Sequence, residues 1–245
     1  MDSGFYAACA GLRAQSQALE VAAHNLANLN TAGFRGQQTT FQSLMAVSRP
    51  TVPNVLNLAT NNFGVLEGTH LDMTAGNLEA TGNPLDVGIE GDGFFVIQAK
   101  GGTRYTRNGS FQVSSSGQLV TAAGDPVLGA NGAISVPTGA VSIASDGTLS
   151  VNGAVAGSIR LAEFAPGTTL TSEGETLIAA APEGSAKPAQ QSTLRQGALE
   201  SSNVNSISSV VTLLGVQRQA EMLQRAMSLF DTEFNRIASI DLAKV

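Results

Sequence analysis

From Val204 to Val245 the chain reads VNSISSVVTLLGVQRQAEMLQRAMSLFDTEFNRIASIDLAKV, and the spacing of its apolar residues decides the fold. Leu213, Val216, Ala220, Leu223, Met227, Phe230, Phe234 and Ile237 recur in unbroken alternating steps of three and four. That is the spacing of a coiled-coil seam. Arg218, Glu221, Arg225, Glu233 and Arg236 stand at i,i+3 or i,i+4 offsets from one another, as the paired charges of a solvated face do. As a single helix the stretch would be about 60 Å long at 1.5 Å per residue. Nothing adjacent in sequence can cover its seam, so the partner must come from elsewhere.

The beginning of the chain carries a seam of the same type. Over residues 4–30, Phe5, Leu12, Leu19 and Leu26 are spaced seven apart, with Ala8, Cys9, Ala22 and Ala23 beside them. That spacing keeps them on one helical face. The stop signal is Asn30-Thr31-Ala32-Gly33-Phe34, in which Gly33 suits the left-handed position after a helix and Phe34 can make the apolar contact back onto it. A second short helix is expected from Arg35 to about Val47, where Phe41, Leu44 and Met45 cluster.

Between Arg49 and Pro84 the residues are those of an extended connector, punctuated by Pro50, Pro53, Asn61-Asn62 and Gly76-Asn77. From Leu85 the period changes to two. Leu85–Ile89, Phe94–Ile97, Phe111–Val113, Leu119–Val120, Ile134–Val136, Val141–Ile143 and Ile159–Phe164 are strand candidates, separated by turn pairs such as Asn108-Gly109, Asp146-Gly147 and Asn152-Gly153. From Pro166 to Pro188 the chain loosens again, and Ser202 or Asn203 can cap the last helix.

These readings give an α+β chain. Long N- and C-terminal helices of coiled-coil type form one domain, and an all-β domain is inserted between them on extended connectors. The boundaries are residues 1–36 for the first helix, 37–84 for the connector, 85–180 for the outer β domain, 181–202 for the return and 203–245 for the last helix. The terminal seams are too thin for a helix pair to be well ordered alone, so they are expected to order in an oligomer or filament.

Composition narrows the function. Charged residues are 13%, about half the usual quarter, aromatic residues are 5%, and Trp is absent. A formal net charge of −6 with no Lys/Arg cluster argues against nucleic-acid binding. One cysteine, Cys9, with His24 and His70, offers too few ligands for a zinc site and no internal disulfide. No cofactor or metal is expected. The start reads as no Sec signal, and no apolar run approaches the 18 or so residues of a membrane span, so no membrane insertion is expected. Between Arg107 and Arg160 the only charges are Asp125 and Asp146, a surface suited to packing against copies of itself.

Three ordered blocks carry a resemblance. They are Asn25-Leu26-Ala27-Asn28-Leu29-Asn30-Thr31-Ala32-Gly33-Phe34-Arg35, then Thr81 to Val96 followed by Tyr105-Thr106-Arg107-Asn108-Gly109-Ser110-Phe111, and Gln196-Gly197-Ala198-Leu199-Glu200-Ser201-Ser202-Asn203-Val204. Together they resemble the bacterial flagellar rod and hook protein family. The start at Met1-Asp2 and the short connector after Phe34 resemble its proximal F type more than its distal G type.

The resemblance implies a non-enzymatic subunit of the basal-body rod in the periplasmic space, exported by the flagellar type III apparatus without signal cleavage. Its partners would be copies of itself or other rod and hook proteins. In that family the terminal helices form the inner wall of a helical tube, and the β domain faces outward. The expected subunit interface comprises the two seams together with Asn25, Asn28, Gly33 and Phe34. Asn25, Asn28 and Asn30 also read as residues that simply end a helix. The competing reading is a cell-wall-directed carbohydrate-binding module or glycosidase with helical oligomerisation ends. Alternation puts Asp86 and Glu90 on the same side of a strand, but Gly91-Asp92-Gly93 reads as a solvated turn. No Walker loop, HExxH or GxSxG occurs.

Overall fold

The computed structural model of the chain describes residues 2–43, 64–181 and 186–242. Two helices bracket it, α1 over Asp2–Ala27 and α2 over Ser206–Leu242. The cap of α2 falls on Asn205, whose Oδ1 accepts the N–H groups of Ile207 at 3.0 Å and Ser208 at 3.1 Å. This corrects the expectation of Ser202 or Asn203: two of the free donors of the first turn are satisfied by the residue immediately before it.

The chain divides into two compact units, one of residues 1–26, 37–70 and 205–245, the other of 27–36 and 71–204. The first holds the helices and a two-stranded pair of Gln37–Ser43 with Gly64–Leu71. The helix expected from Arg35 to Val47 is instead irregular at Arg35 and Gly36 and a strand over Gln37–Ser43, and its remainder lies outside the described residues. Gln37-Gln38-Thr39-Thr40 carries no helical apolar period, and its β-branched threonines favour extended backbone. Pairing with a strand more than twenty residues on decides the outcome.

In the second unit, Phe94–Ala99 is the central strand. Its apolar run is buried on both faces, as the period of two requires. Phe95 and Ile97 enter a core with Val87, Phe111, Leu119, Val127, Leu149 and Val151, while Phe94 and Val96 enter another with Tyr105, Ala162 and Ile178. Phe95 meets Phe111 edge to face at 4.9 Å between centroids.

Around this strand runs a six-stranded antiparallel sheet in the order Thr169–Glu173, Leu177–Ala181, Gly102–Thr106, Phe94–Ala99, Leu161–Glu163, Lys187–Pro188. The stretch from Pro166 to Pro188, expected to be loose, thus supplies a hairpin whose Ile178 pairs with Tyr105. Ile134–Val136 was expected as a strand. Ile134 and Val136 do enter the core, but the segment is held by an isolated bridge, Ser135 to Gln118, and by the Ile134 N–H on the Val127 carbonyl, and not as a regular strand.

Asn152-Gly153 does turn a hairpin, with φ of 50° and 83°. Asn108-Gly109 does not, since the strands on either side of it pair elsewhere. Instead Asn108 Oδ1 accepts the Ser110 N–H, and the Gly109 carbonyl accepts that of Val87.

Candidate functional site: a buried ionic knot and a two-faced helix

The return segment, Gln196 to Asn203, is built into the β unit. Thr193–Gln196 pairs with Val87–Glu90, and Ala198–Glu200 pairs with Leu78–Ala80. Alternation turns Ala198 and Glu200 inward together, and each is 1% exposed. A carboxylate in that position needs partners.

Glu200 has several. Its Oε1 lies 2.7 Å from Arg35 Nη1 and accepts the Gly76 N–H at 2.8 Å, and its Oε2 lies 3.2 Å from Arg107 Nη1. Its backbone carbonyl accepts the Gly33 N–H at 2.8 Å. Arg107 also donates Nη2 to the Gly91 carbonyl and sits 4.7 Å above the Phe94 ring, while Arg35 donates Nη1 to the Thr74 carbonyl.

Two buried cations thus share one buried anion. Burial pulls the Arg107 guanidinium below its ordinary range, the Glu200 carboxylate opposes that shift, and neighbouring Arg35 adds to it. Among the described residues, Arg35 Nε and Nη2 and Arg107 Nε have no hydrogen-bond partner. The knot holds segments together and exposes no reactive group.

Gly33 fits the same knot. Its φ is +68°, and a Cβ there would stand 2.2 Å from the Asn108 backbone nitrogen. Phe34 is buried within the β unit. Asn28 is buried, and its Oδ1 accepts the Thr31 hydroxyl at 3.0 Å. Asn25 exchanges two hydrogen bonds with the backbone of Gln37.

Asp86 and Glu90, the carboxylates of the enzymatic reading, have different surroundings. Asp86 is buried and held by Thr81 Oγ1 at 2.7 Å and Asn83 Nδ2 at 2.9 Å, whereas Gly91 and Asp92, in the turn expected there, are exposed. Glu90 is half exposed, 4.0 Å from Arg195. Among the described residues no group of His, Cys, Asp or Glu could hold a metal ion, and no helix is long and apolar enough to cross a membrane.

The helical unit carries the other feature. Along α2, Leu213, Val216, Ala220, Leu223 and Met227 are half-buried, and the residues between them are exposed except for Ala226. Phe5, Phe230, Phe234 and Ile237 lie in helices, but their side chains are outside the described set. Sequence reasoning missed a second apolar face: Ile207, Val211, Leu214, Met222 and Leu229 are 76%, 64%, 49%, 61% and 68% exposed. At about 100° per residue this face centres roughly 180° from the seam. Its period was visible, but Arg218 and Arg225 lie among those residues and gave it the look of a purely solvated face. On α1 the buried face is small, made of Gly11, Ala14, Ala18 and Ala22, and Leu12, Leu19 and Leu26 are half-buried on its flank.

Comparison with known proteins finds three families in order along the chain. Residues 5–35 match the flagella basal body rod protein family, residues 88–151 the FlgE/F/G flagellar hook protein D1 domain, and residues 195–240 the flagellar basal body rod FlgEFG protein C-terminal family. Arg35, Arg107 and Glu200 fall one in each. Among curated relatives, the flagellar basal-body rod protein FlgF of Escherichia coli is 35% identical over 96% of this chain and 97% of its own length. FlgF of Caulobacter vibrioides is 31% identical over the whole of both chains. The flagellar basal-body rod protein FlgG of Buchnera aphidicola from Acyrthosiphon pisum is 32% identical over 94% of this chain and 96% of its own.

Proposed function

We propose how this chain works from the premise that it belongs to the flagellar basal-body rod protein family, as a structural rod subunit most like the F type. Membership implies assembly with other rod and hook proteins of the basal body. The finer reading is that the subunit polymerises through α1 and α2 into a helical tube and carries torque along many parallel seams. The observation that supports it most is α2 itself: a 37-residue helix with one half-buried seam and an exposed apolar face opposite.

In this reading the small face of α1 receives the Leu213–Met227 seam as a coiled coil within the subunit. The face of Ile207, Leu214, Met222 and Leu229 meets other copies, and the β unit is the outer load. Asn25, Asn28, Gly33 and Phe34 serve assembly by shaping the end of α1. Export through the flagellar type III apparatus without cleavage, and a position in the periplasmic space, complete the proposal. It requires no cofactor and no catalytic residue.

Limited proteolysis of the purified chain, followed by the same digestion after assembly, tests this reading. The expected result is loss of α1 and α2 from the dilute chain, a β-rich core that persists, and protection of both helices in the assembled form. Equal cleavage of the helices in both states overturns it. The carbohydrate-directed alternative gains nothing from the comparisons. Peptidoglycan turnover that disappears in Asp86→Ala or Glu90→Ala would revive it.

A further inference from the structure

The chain passes between its two units at four places, 26/27, 36/37, 70/71 and 204/205. A glycine next to such a crossing would ordinarily be a hinge, because it has the widest backbone freedom, and joints between units are where motion concentrates. Gly36 stands at the second crossing, yet it and Gln37 have no free backbone group. The Gly36 N–H donates to Asn203 Oδ1 at 2.7 Å, and the Gly36 carbonyl accepts the Asp72 N–H at 2.7 Å. The Gln37 N–H donates to Asn25 Oδ1 at 2.8 Å, and the Gln37 carbonyl accepts Asn25 Nδ2 at 2.7 Å.

Each of these bonds lies within one unit, and each partner lies within two residues of another crossing. Asn203 goes further: its Nδ2 donates to the Asp72 carbonyl at 2.9 Å and the Thr74 carbonyl at 3.0 Å, and its own N–H donates to the Phe34 carbonyl. An amide side chain suits this task, since it accepts and donates at once, as a strand neighbour does. Any rotation about Gly36 or Gln37 must break at least one of these bonds, and the Gly36 backbone is buried, where a lost bond is not replaced by water.

We propose that Asn25 and Asn203 are positioning residues that lock the Gly36–Gln37 segment, each from within its own unit, making it a stiff tie although it contains a glycine. The load that such a tie would carry rests on the rod reading above; the lock itself does not.

Amide hydrogen exchange on the full-length purified chain tests the lock. Asn203→Ala is expected to speed exchange at Gly36, and Asn25→Ala at Gln37, each at least about tenfold, while the core amides of Phe95 and Ile97 keep their protection. Asn203→Asp, which keeps the Oδ1 acceptor but loses the Nδ2 donor to the Asp72 and Thr74 carbonyls, is expected to restore only part of the protection at Gly36, a rescue that general loosening of the fold would not give. Gly36 and Gln37 exchanging at unchanged rates in both alanine variants overturns the lock, and so does exchange that rises equally at Phe95.

The second arm is swimming in a flagellated strain whose only copy is the Asn25→Ala, Asn203→Ala double variant. Loss of swimming in viscous medium with normal secretion is the expected result. Fast exchange with full swimming overturns the load-carrying role. If deleting the chain altogether leaves swimming intact, the rod reading fails, and the exchange result stands apart from it.

Discussion

Arg35 Nη1 lies 2.7 Å from Glu200 Oε1, with both side chains at most 2% exposed, and Arg107 claims the other carboxylate oxygen from the opposite part of the chain. Removing one partner of a buried pair leaves an uncompensated charge, whereas removing the surplus cation leaves a balanced pair. Glu200→Gln, which strands two guanidiniums, is therefore expected to lower the stability of the β unit by about 3–5 kcal/mol. Arg35→Met, which leaves Glu200 with Arg107, is expected to cost clearly less. Denaturant unfolding of both variants checks the order, and Arg35→Met as damaging as Glu200→Gln contradicts it.

Gly33 is expected to tolerate no side chain. The left-handed conformation alone costs an alanine about 1–2 kcal/mol. In addition the new Cβ would meet the Asn108 nitrogen, a backbone atom that cannot swing aside. Gly33→Ala should lower the unfolding midpoint of the β unit, even though Gly33 lies just after the first helix in sequence. A variant with an unchanged midpoint would show that this loop is not a working part of that unit.

One acid-sensitive site is predicted. Hydrogen bonds from the backbone N–H and the hydroxyl of Thr148 hold the Asp146 carboxyl below its ordinary value of 3.8. A carboxylate depressed in the folded state contributes stability that is present above 3.8 and is lost as pH falls through the lower folded value. The Thr148 amide resonance should therefore titrate with a midpoint below 3.8, and Asp146→Asn should abolish that titration. A midpoint above 3.8 refutes the prediction.

What could be read from sequence follows the range of the interactions. The Leu213–Met227 seam was legible because a helix's period is written in consecutive residues, and Phe94-Phe95-Val96-Ile97 was legible because burial on both faces leaves no polar position. Thr193–Gln196 and Ala198–Glu200 were not read as strands, since a glutamate and an arginine among them look solvated. Glu200 can be buried because Arg107, 93 positions away, and Arg35, farther still along the chain, both meet it. Thr169–Glu173 is a strand through its pairing with Leu177–Ala181, whose small side chains give little pattern. The burial of Asp86 was not read either, although its partners are local: Thr81 and Asn83 satisfy it by bonds that composition does not announce.

The two faces of α2 should separate folding from assembly. Leu223 is half-buried on the seam, and Leu214 is half exposed on the opposite side. An aspartate at the seam puts a charge where the assembled helix is covered, so Leu223→Asp is expected to remove what helix content the isolated chain retains and to block assembly. An aspartate at Leu214 changes nothing that the lone subunit buries. Leu214→Asp is therefore expected to leave the circular dichroism of the isolated chain unchanged while still preventing assembly, and Met222→Asp should behave alike. The β unit stays folded in all three, since its core draws on neither helix. If Leu214→Asp and Met222→Asp both assemble normally, the exposed face is not the contact between copies. If Leu223→Asp assembles normally, the seam has been assigned wrongly.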